Sequence, residues 1–163
     1  MSKYLTDDDK RYIGESLELW RNAARSLGYR VLFTHYYRDN KASFRVGEEY
    51  SVWLGYARQY CATSCVLISE FEAIARGFCV CDFTDAPYKP YGRLRSLRRA
   101  VLAVLDGPTM DRLSRNSAQH IDVPIYKSER LPVLTGIERC RLEKLRKAHG
   151  RHEEVMTGHE KIA

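Results

Sequence analysis

No stretch of the chain approaches the roughly 18 consecutive apolar residues that a membrane-spanning helix requires. The first residues, Met1 to Asp9, hold no apolar signal core and turn acidic at once, which sets the expectation of a protein that is not exported and works in the cytoplasm. There is no phosphate-cradling G-x-x-x-x-G-K-[ST], no Rossmann G-x-G-x-x-G and no G-x-S-x-G nucleophile elbow, so nucleotide-driven chemistry and serine hydrolysis have no support. Internal repeats and low-complexity tracts are also missing. The five cysteines are an odd number without a secretory signal and read as reduced thiols rather than a disulfide frame.

What is present is an ordinary globular composition of 163 residues, 44% hydrophobic and 29% charged, long enough for one domain with its own core. Acids are outnumbered, 21 against 27 Lys and Arg, for a net charge of +6. The excess is uneven: the first twenty residues sum to −2, whereas Tyr88–Leu105 and Lys127–Arg151 each sum to +5.

The spacing predicts a helix at the start. Thr6 is a cap, Asp7 to Asp9 place negative charge at the positive end of the dipole, and Ile13, Leu17, Trp20, Ala24 and Leu27 form one apolar stripe that Gly28 terminates. Residues 30–37 are β-branched and aromatic, and Asp39-Asn40 is turn chemistry, so a hairpin with Ser43–Val46 is expected; residues 50–58 fit a strand or a helix. A second hairpin pairs Tyr60–Ile68 with Ala73–Cys81 across Ser69–Glu72. A stiff two-proline loop, residues 86–92, leads into a helix from Arg93 to Leu105 with Leu94, Leu97, Val101 and Val104 on one face. Thr109–Ser117 reads as a short helix, Val123–Tyr126 and Leu131–Leu134 as extended connectors. Thr135 caps a last helix of about residues 137–149, and residues 150–163 read as a polar, flexible tail. The expected fold is α+β: residues 1–149 form one domain in which the first and central helices cover one face of a mostly antiparallel sheet of four or five strands, with the basic C-terminal helix standing apart.

Four cysteines, Cys61, Cys65, Cys79 and Cys81, fall in the two strands of the second hairpin, with Cys61 and Cys65 expected on one face. Their C-x3-C and C-x-C spacings in extended strands spread the sulfurs along a sheet, unlike the tight knuckles of structural zinc sites, and buried core thiols are the favoured reading over a metal site. Asp82 and Asp85 lie where a strand leaves the sheet, an address for general acids or metal ligands, yet no Asp/Glu-x-Lys triplet accompanies them and both suit turns. No catalytic residue, metal ligand or cofactor is assigned. The five histidines, His35, His120, His149, His152 and His159, are scattered.

Charge placement carries the functional expectation. Lys89, Arg93, Arg95, Arg98 and Arg99 occur without an acid, with Tyr88 and Tyr91 interleaved at the start. On a helix with Leu94 and Val101 inward, Arg95 and Arg99 would project to solvent one turn apart. Such a stripe suits phosphates, and tyrosines stack on unpaired bases. Arg139, Lys144 and Lys147 form a second cluster. The expected binding residues are thus Tyr88, Lys89, Tyr91, Arg93, Arg95, Arg99, Arg139, Lys144 and Lys147, and the expected partner is nucleic acid or a nucleoprotein, with no membrane. Solvated helix faces are the bland alternative. The many tyrosines, among them Tyr36, Tyr37, Tyr50, Tyr56, Tyr60 and Tyr126, suggest a competing class, a Tyr/Arg patch that binds a protein. An enzyme that uses Asp82 and Asp85 with a metal is a third. Nothing in the sequence fixes the oligomeric state.

Cys65–Ile68, a short turn, Ala73–Asp85 and then Tyr91-Gly92-Arg93 opening Leu94–Leu105 resemble the strand, turn, strand, Asp loop and Gly-Arg helix of small bacteriophage and mobile-element accessory proteins. The resemblance covers about a quarter of the chain, and Pro87–Tyr91 replaces the usual Phe-x-Arg/Lys lead-in. It implies a non-enzymatic protein that binds host or phage nucleoprotein, and it assigns no residue roles; the competing protein-binding class is a phage-encoded inhibitor of a host defence or polymerase complex.

Overall fold

The computed structural model describes residues 5–46, 50–80, 88–113 and 121–162, with side chains for residues 5–37, 60–80, 88–113 and 121–150. Among these residues seven elements follow in order: α1 (Asp7–Ser26), β1 (Arg30–Val46), β2 (Tyr50–Ser69), β3 (Glu72–Val80), α2 (Lys89–Leu105), β4 (Ser128–Arg130) and α3 (Gly136–Ile162). The strands form one antiparallel sheet in the order β1-β2-β3-β4, which is the expected α+β architecture.

The start of α1 is built as its sequence dictates. Thr6 Oγ1 accepts from the Asp9 amide at 3.1 Å while Asp9 Oδ2 accepts from the Thr6 amide at 3.0 Å, a reciprocal capping box. The Thr6 amide first, and then the Thr6 hydroxyl, hold the Asp9 carboxyl below the usual carboxylate range. Ile13, Leu17 and Ala24 are buried, and Gly28 takes a left-handed φ of +84° just past the helix end.

α1 and α2 cover the same face of the sheet. Their buried stripes, Ile13, Leu17 and Ala24 with Leu94, Leu97, Ala100, Val101 and Ala103, share a core with Cys65, Leu67 and Ala75, and Val31 and Phe33 pack against it. Contact between α2 and β3 is backbone-close at Gly77: a Cβ there would stand 1.9 Å from the Ser96 carbonyl oxygen and 2.6 Å from the Ala100 nitrogen. α2 begins four residues earlier than its apolar spacing suggests, because Pro90 sits in the first turn, where its missing N–H and fixed φ do no harm. Its last turn carries no base of its own; Arg130 of β4 donates to the Ala103 and Val104 carbonyl oxygens at 2.7 and 2.6 Å.

The other face is covered by α3, and here the expectation of a helix standing apart is overturned. Leu142 is buried with Leu32, Val66 and Ile68, and Leu145 packs against the same group. The helix runs towards the β2–β3 turn, where Arg146 donates to the Phe71 carbonyl at 2.7 Å and the His149 and Phe71 rings lie 4.9 Å apart. It continues as backbone to Ile162, through most of the expected tail. That turn has two residues, Glu70 and Phe71, with φ of +51° and +62°, the pattern of a type I′ hairpin turn.

Other boundaries also move. β1 runs straight through Asp39-Asn40, so these two are strand and not the expected turn, and β1 stays paired with β2 out to Val46↔Tyr50. Residues 50–58 are strand. Residues 109–113 are extended rather than helical, with Arg112 bridging Tyr126, and the rest of that expected helix lies outside the described residues. β4 is a strand the sequence did not announce. Between Tyr36↔Ala62 and Tyr37↔Tyr60, Cys61 is the extra residue of a β-bulge, which turns it into the core of Tyr36, Phe78, Ile121 and Ile125 and away from Cys65 on the helix-covered face.

Replacing Gly77 by Ala forces a methyl group against helix backbone and is expected to lower stability by about 3 kcal/mol. Urea unfolding of Gly77→Ala against the parent chain checks it; a change below about 0.5 kcal/mol would contradict the close approach.

Candidate nucleic-acid interface

The binding residues expected from the sequence divide between the two faces of the sheet. Tyr88, Lys89, Tyr91, Arg93, Arg95 and Arg99 belong to α2 and its cap on one face, whereas Arg139, Lys144 and Lys147 belong to α3 on the other. The structure therefore does not join them into one patch.

On the α2 side the bases lie on aromatic rings. Lys89 Nζ is 5.1 Å from the centre of the Tyr37 ring, the Arg95 guanidinium 5.5 Å from Tyr91, and Lys10 Nζ 5.8 Å from Tyr88. Arg98 lies 5.9 Å from Trp20. Tyr88 and Tyr91 are half-buried against the core, so their rings anchor the bases more than they offer a bare stacking face. Among the described residues, no carboxylate pairs with Lys89, Arg93, Arg95, Arg98 or Arg99.

Arg99 does not project to solvent as its helical position implied. It is half-buried, and Nη1 donates to the Phe78 carbonyl in β3. Burial, with Arg95 nearby, lowers its pKa from the ordinary arginine value. The reason is the close approach of α2 to β3 at Gly77, where Arg99 Cβ stands within 2.8 Å of the added methyl position. Arg99 is thus a brace between helix and sheet.

Arg93 is partly engaged as well. Its Nε donates to His35 Nε2 at 3.1 Å, so the His35 proton sits on Nδ1 and is donated to Thr63 Oγ1 at 2.9 Å. Tyr60 OH bonds the same hydroxyl. This chain exists because residue 92 is glycine: a Cβ there would stand 2.0 Å from the Tyr60 hydroxyl. Burial first, then the charges of Arg93, Lys89 and Arg141, hold the His35 pKa down to about 4. His35 is therefore neutral near pH 7, an acceptor that aims Arg93. The sequence showed it only as one of several scattered histidines.

On α3, Arg139 is exposed and pairs with Asp122 at 3.3 Å. Arg141 donates to Thr34 Oγ1 at 3.2 Å. Lys144 and Lys147 are exposed. Of the bases that made the C-terminal segment so positive, Arg130, Arg141 and Arg146 all tie to other elements.

Cys61, Cys65 and Cys79 are buried thiols, and Cys140 is exposed. Burial pushes the Cys65 and Cys79 thiols up, which keeps them protonated and unreactive. No group of three or more His, Cys, Asp or Glu side chains suited to a metal occurs among the described residues. Cys81, Asp82 and Asp85 lie outside them.

The fold and site together define an α+β domain with a cationic, aromatic-backed flank at the N-terminal end of its central helix. Set against family models, curated proteins and solved structures, the chain matches none.

His35 makes stability depend on pH in a defined window. The unfolded ring takes a proton near 6.5 and the folded ring only near 4, so the unfolded chain binds more protons between those values. The stabilisation is complete above pH 6.5 and is lost as pH falls towards 4. An NMR titration of the His35 ring should give a midpoint near 4, and His35→Gln should flatten that part of the stability profile; a midpoint near 6.5 would contradict the buried network.

Proposed function

We propose that the protein is a non-enzymatic nucleic-acid-binding protein whose phosphate contacts come from the flank of α2: Lys89, Arg95 and Arg98, with Arg93 aimed by His35. One observation carries the reading. The bases of α2 occur without a carboxylate partner among the described residues, whereas in the other positive segment Arg139 pairs with Asp122 and Arg146 with Glu143. A set of cations held on aromatic rings, with no carboxylate partner among the described residues, is suited to a polyanion. The α3 bases Arg139, Lys144 and Lys147 face the other way and are not part of this contact.

A phosphate-binding flank has a salt signature, because each neutralised phosphate releases counterions. Binding of short single- and double-stranded oligonucleotides should be strongest at low salt, and Lys89→Gln and Arg95→Gln should each reduce the salt slope by about 1. Lys144→Gln should leave it unchanged. Absence of binding at low salt overturns the reading, as does a stoichiometric protein complex that survives nuclease treatment and is abolished by the same two substitutions.

A further inference from the structure

Among the described residues, β1 and β2 outrun the rest of the sheet. There β3 pairs with β2 from Ala62 to Ser69, while β1 and β2 stay paired with each other out to Val46↔Tyr50. Residues 38–46 and 50–59 thus pair with each other and, among the described residues, with no third strand, as an arm with a reach of roughly 30 Å. The arm leaves the sheet at Tyr37 and Tyr60, whose rings meet edge to face at 6.2 Å, and Lys89 lies over Tyr37 there. Its root is the same place as the cationic flank of α2.

Strand alternation gives the arm two unlike faces. The face of β1 that bears Phe33, His35 and Tyr37 continues through positions 39, 41, 43 and 45. The register sets Asp39 against Arg58, Lys41 against Tyr56, Ser43 against Trp53 and Arg45 against Ser51, with Leu54 as the extra residue of a second bulge. From Tyr37↔Tyr60 outward, that row holds four aromatic residues, three bases and one acid. The opposite row, Arg38↔Gln59, Asn40↔Ala57, Ala42↔Gly55, Phe44↔Val52 and Val46↔Tyr50, holds two aromatic residues and one base. Aromatic and basic positions are therefore more numerous in the row that continues the α2-covered face of β1.

We propose that this row is a stacking platform for the unpaired bases of single-stranded nucleic acid, with Trp53 and Tyr56 as the stacking residues and Lys41, Arg45, Arg58 and Lys89 along the phosphate track. The inference rests on the nucleic-acid reading above and narrows it. Same-face residues on a strand recur about every 7 Å, which leaves room for a base against each ring. A duplex hides the faces of its bases inside the stack, whereas a single strand offers them, and ring-to-base stacking tolerates any sequence. The excess of three bases over one acid matches the polyanion in sign.

The chain has two tryptophans, Trp20 and Trp53, so Trp20→Phe makes emission a report on the arm alone. Titration of that variant with an oligothymidine should quench Trp53. Trp53→Ala and Tyr56→Ala should each weaken oligothymidine binding about tenfold or more without changing the salt slope. Trp53→Phe should keep most of the affinity, and a duplex of equal length should compete poorly. Quenching in the Trp20→Phe chain reads the arm without altering it, so the test survives an alanine variant that fails to fold. If oligothymidine binds with the slope set by Lys89 and Arg95 but Trp53 is not quenched and the alanine variants bind as the parent does, the platform is overturned while the α2 interface stands. Equal affinity for the duplex also overturns the platform. If no nucleic acid binds at low salt, both readings fall together.

Discussion

A single buried guanidinium organises the side of the molecule away from α1 and α2. Arg76, at the centre of β3, is fully buried, as is Glu138. Arg76 Nε donates to Glu129 Oε2 at 3.0 Å, and Nη1 donates to Glu138 Oε1 at 2.7 Å and to the Val133 carbonyl at 2.9 Å. Burial works against the charge, but the two carboxylates outweigh it and hold the Arg76 pKa above its ordinary value. One residue thereby fixes β4 through Glu129, the connector through Val133 and the start of α3 through Glu138. A buried ion group contributes little net stability when complete, yet removing one partner leaves uncompensated charge in the interior. The fold depends on its completeness.

Glu138 is also the third residue of α3, and that double duty couples the ion group to the helix. Its Oε1 accepts from the Thr135 amide at 2.9 Å while Thr135 Oγ1 accepts from the Glu138 amide at 3.2 Å, the same capping box that opens α1. Ser64 of β2 donates to its other oxygen at 2.7 Å, and Tyr36 of β1 bonds the Thr135 hydroxyl at 2.7 Å. All three long strands thus touch the N-terminus of α3 by polar bonds, and Leu142 then seals Leu32, Val66 and Ile68. Because α3 is held to that face, its bases are separated by the sheet from those of α2. This is why an excess of +5 in each of two segments does not make one basic surface.

The parts of the fold legible in the sequence are those whose signals are local. Thr6 with Asp9, the stripe from Ile13 to Ala24, Thr135 as a cap and the spacing of Leu94, Leu97 and Val101 each act within a turn or two of chain. β4 was not legible because three residues carry no periodicity, and what makes them a strand is pairing to β3. Arg76 was hidden for a related reason. A lone Arg in a strand ordinarily faces water, and only the distant Glu129 and Glu138 permit its burial. Pattern did hold one clue, since Thr135-x-x-Glu138 is a capping-box signature, but it does not show that the glutamate has a second partner. Similarly, the positions of Arg93, Arg95 and Arg98 on a basic helix were legible, whereas the inward turn of Arg99 follows from a close approach at Gly77 that no spacing encodes.

The central claim is that Arg76 is the joint between the sheet, β4 and α3, and urea unfolding of Arg76→Met tests it most directly. With Glu129 and Glu138 left buried and unpaired, the account predicts a loss of about 3–5 kcal/mol. A stability within about 0.5 kcal/mol of the parent chain, the range of an ordinary surface substitution, would contradict it.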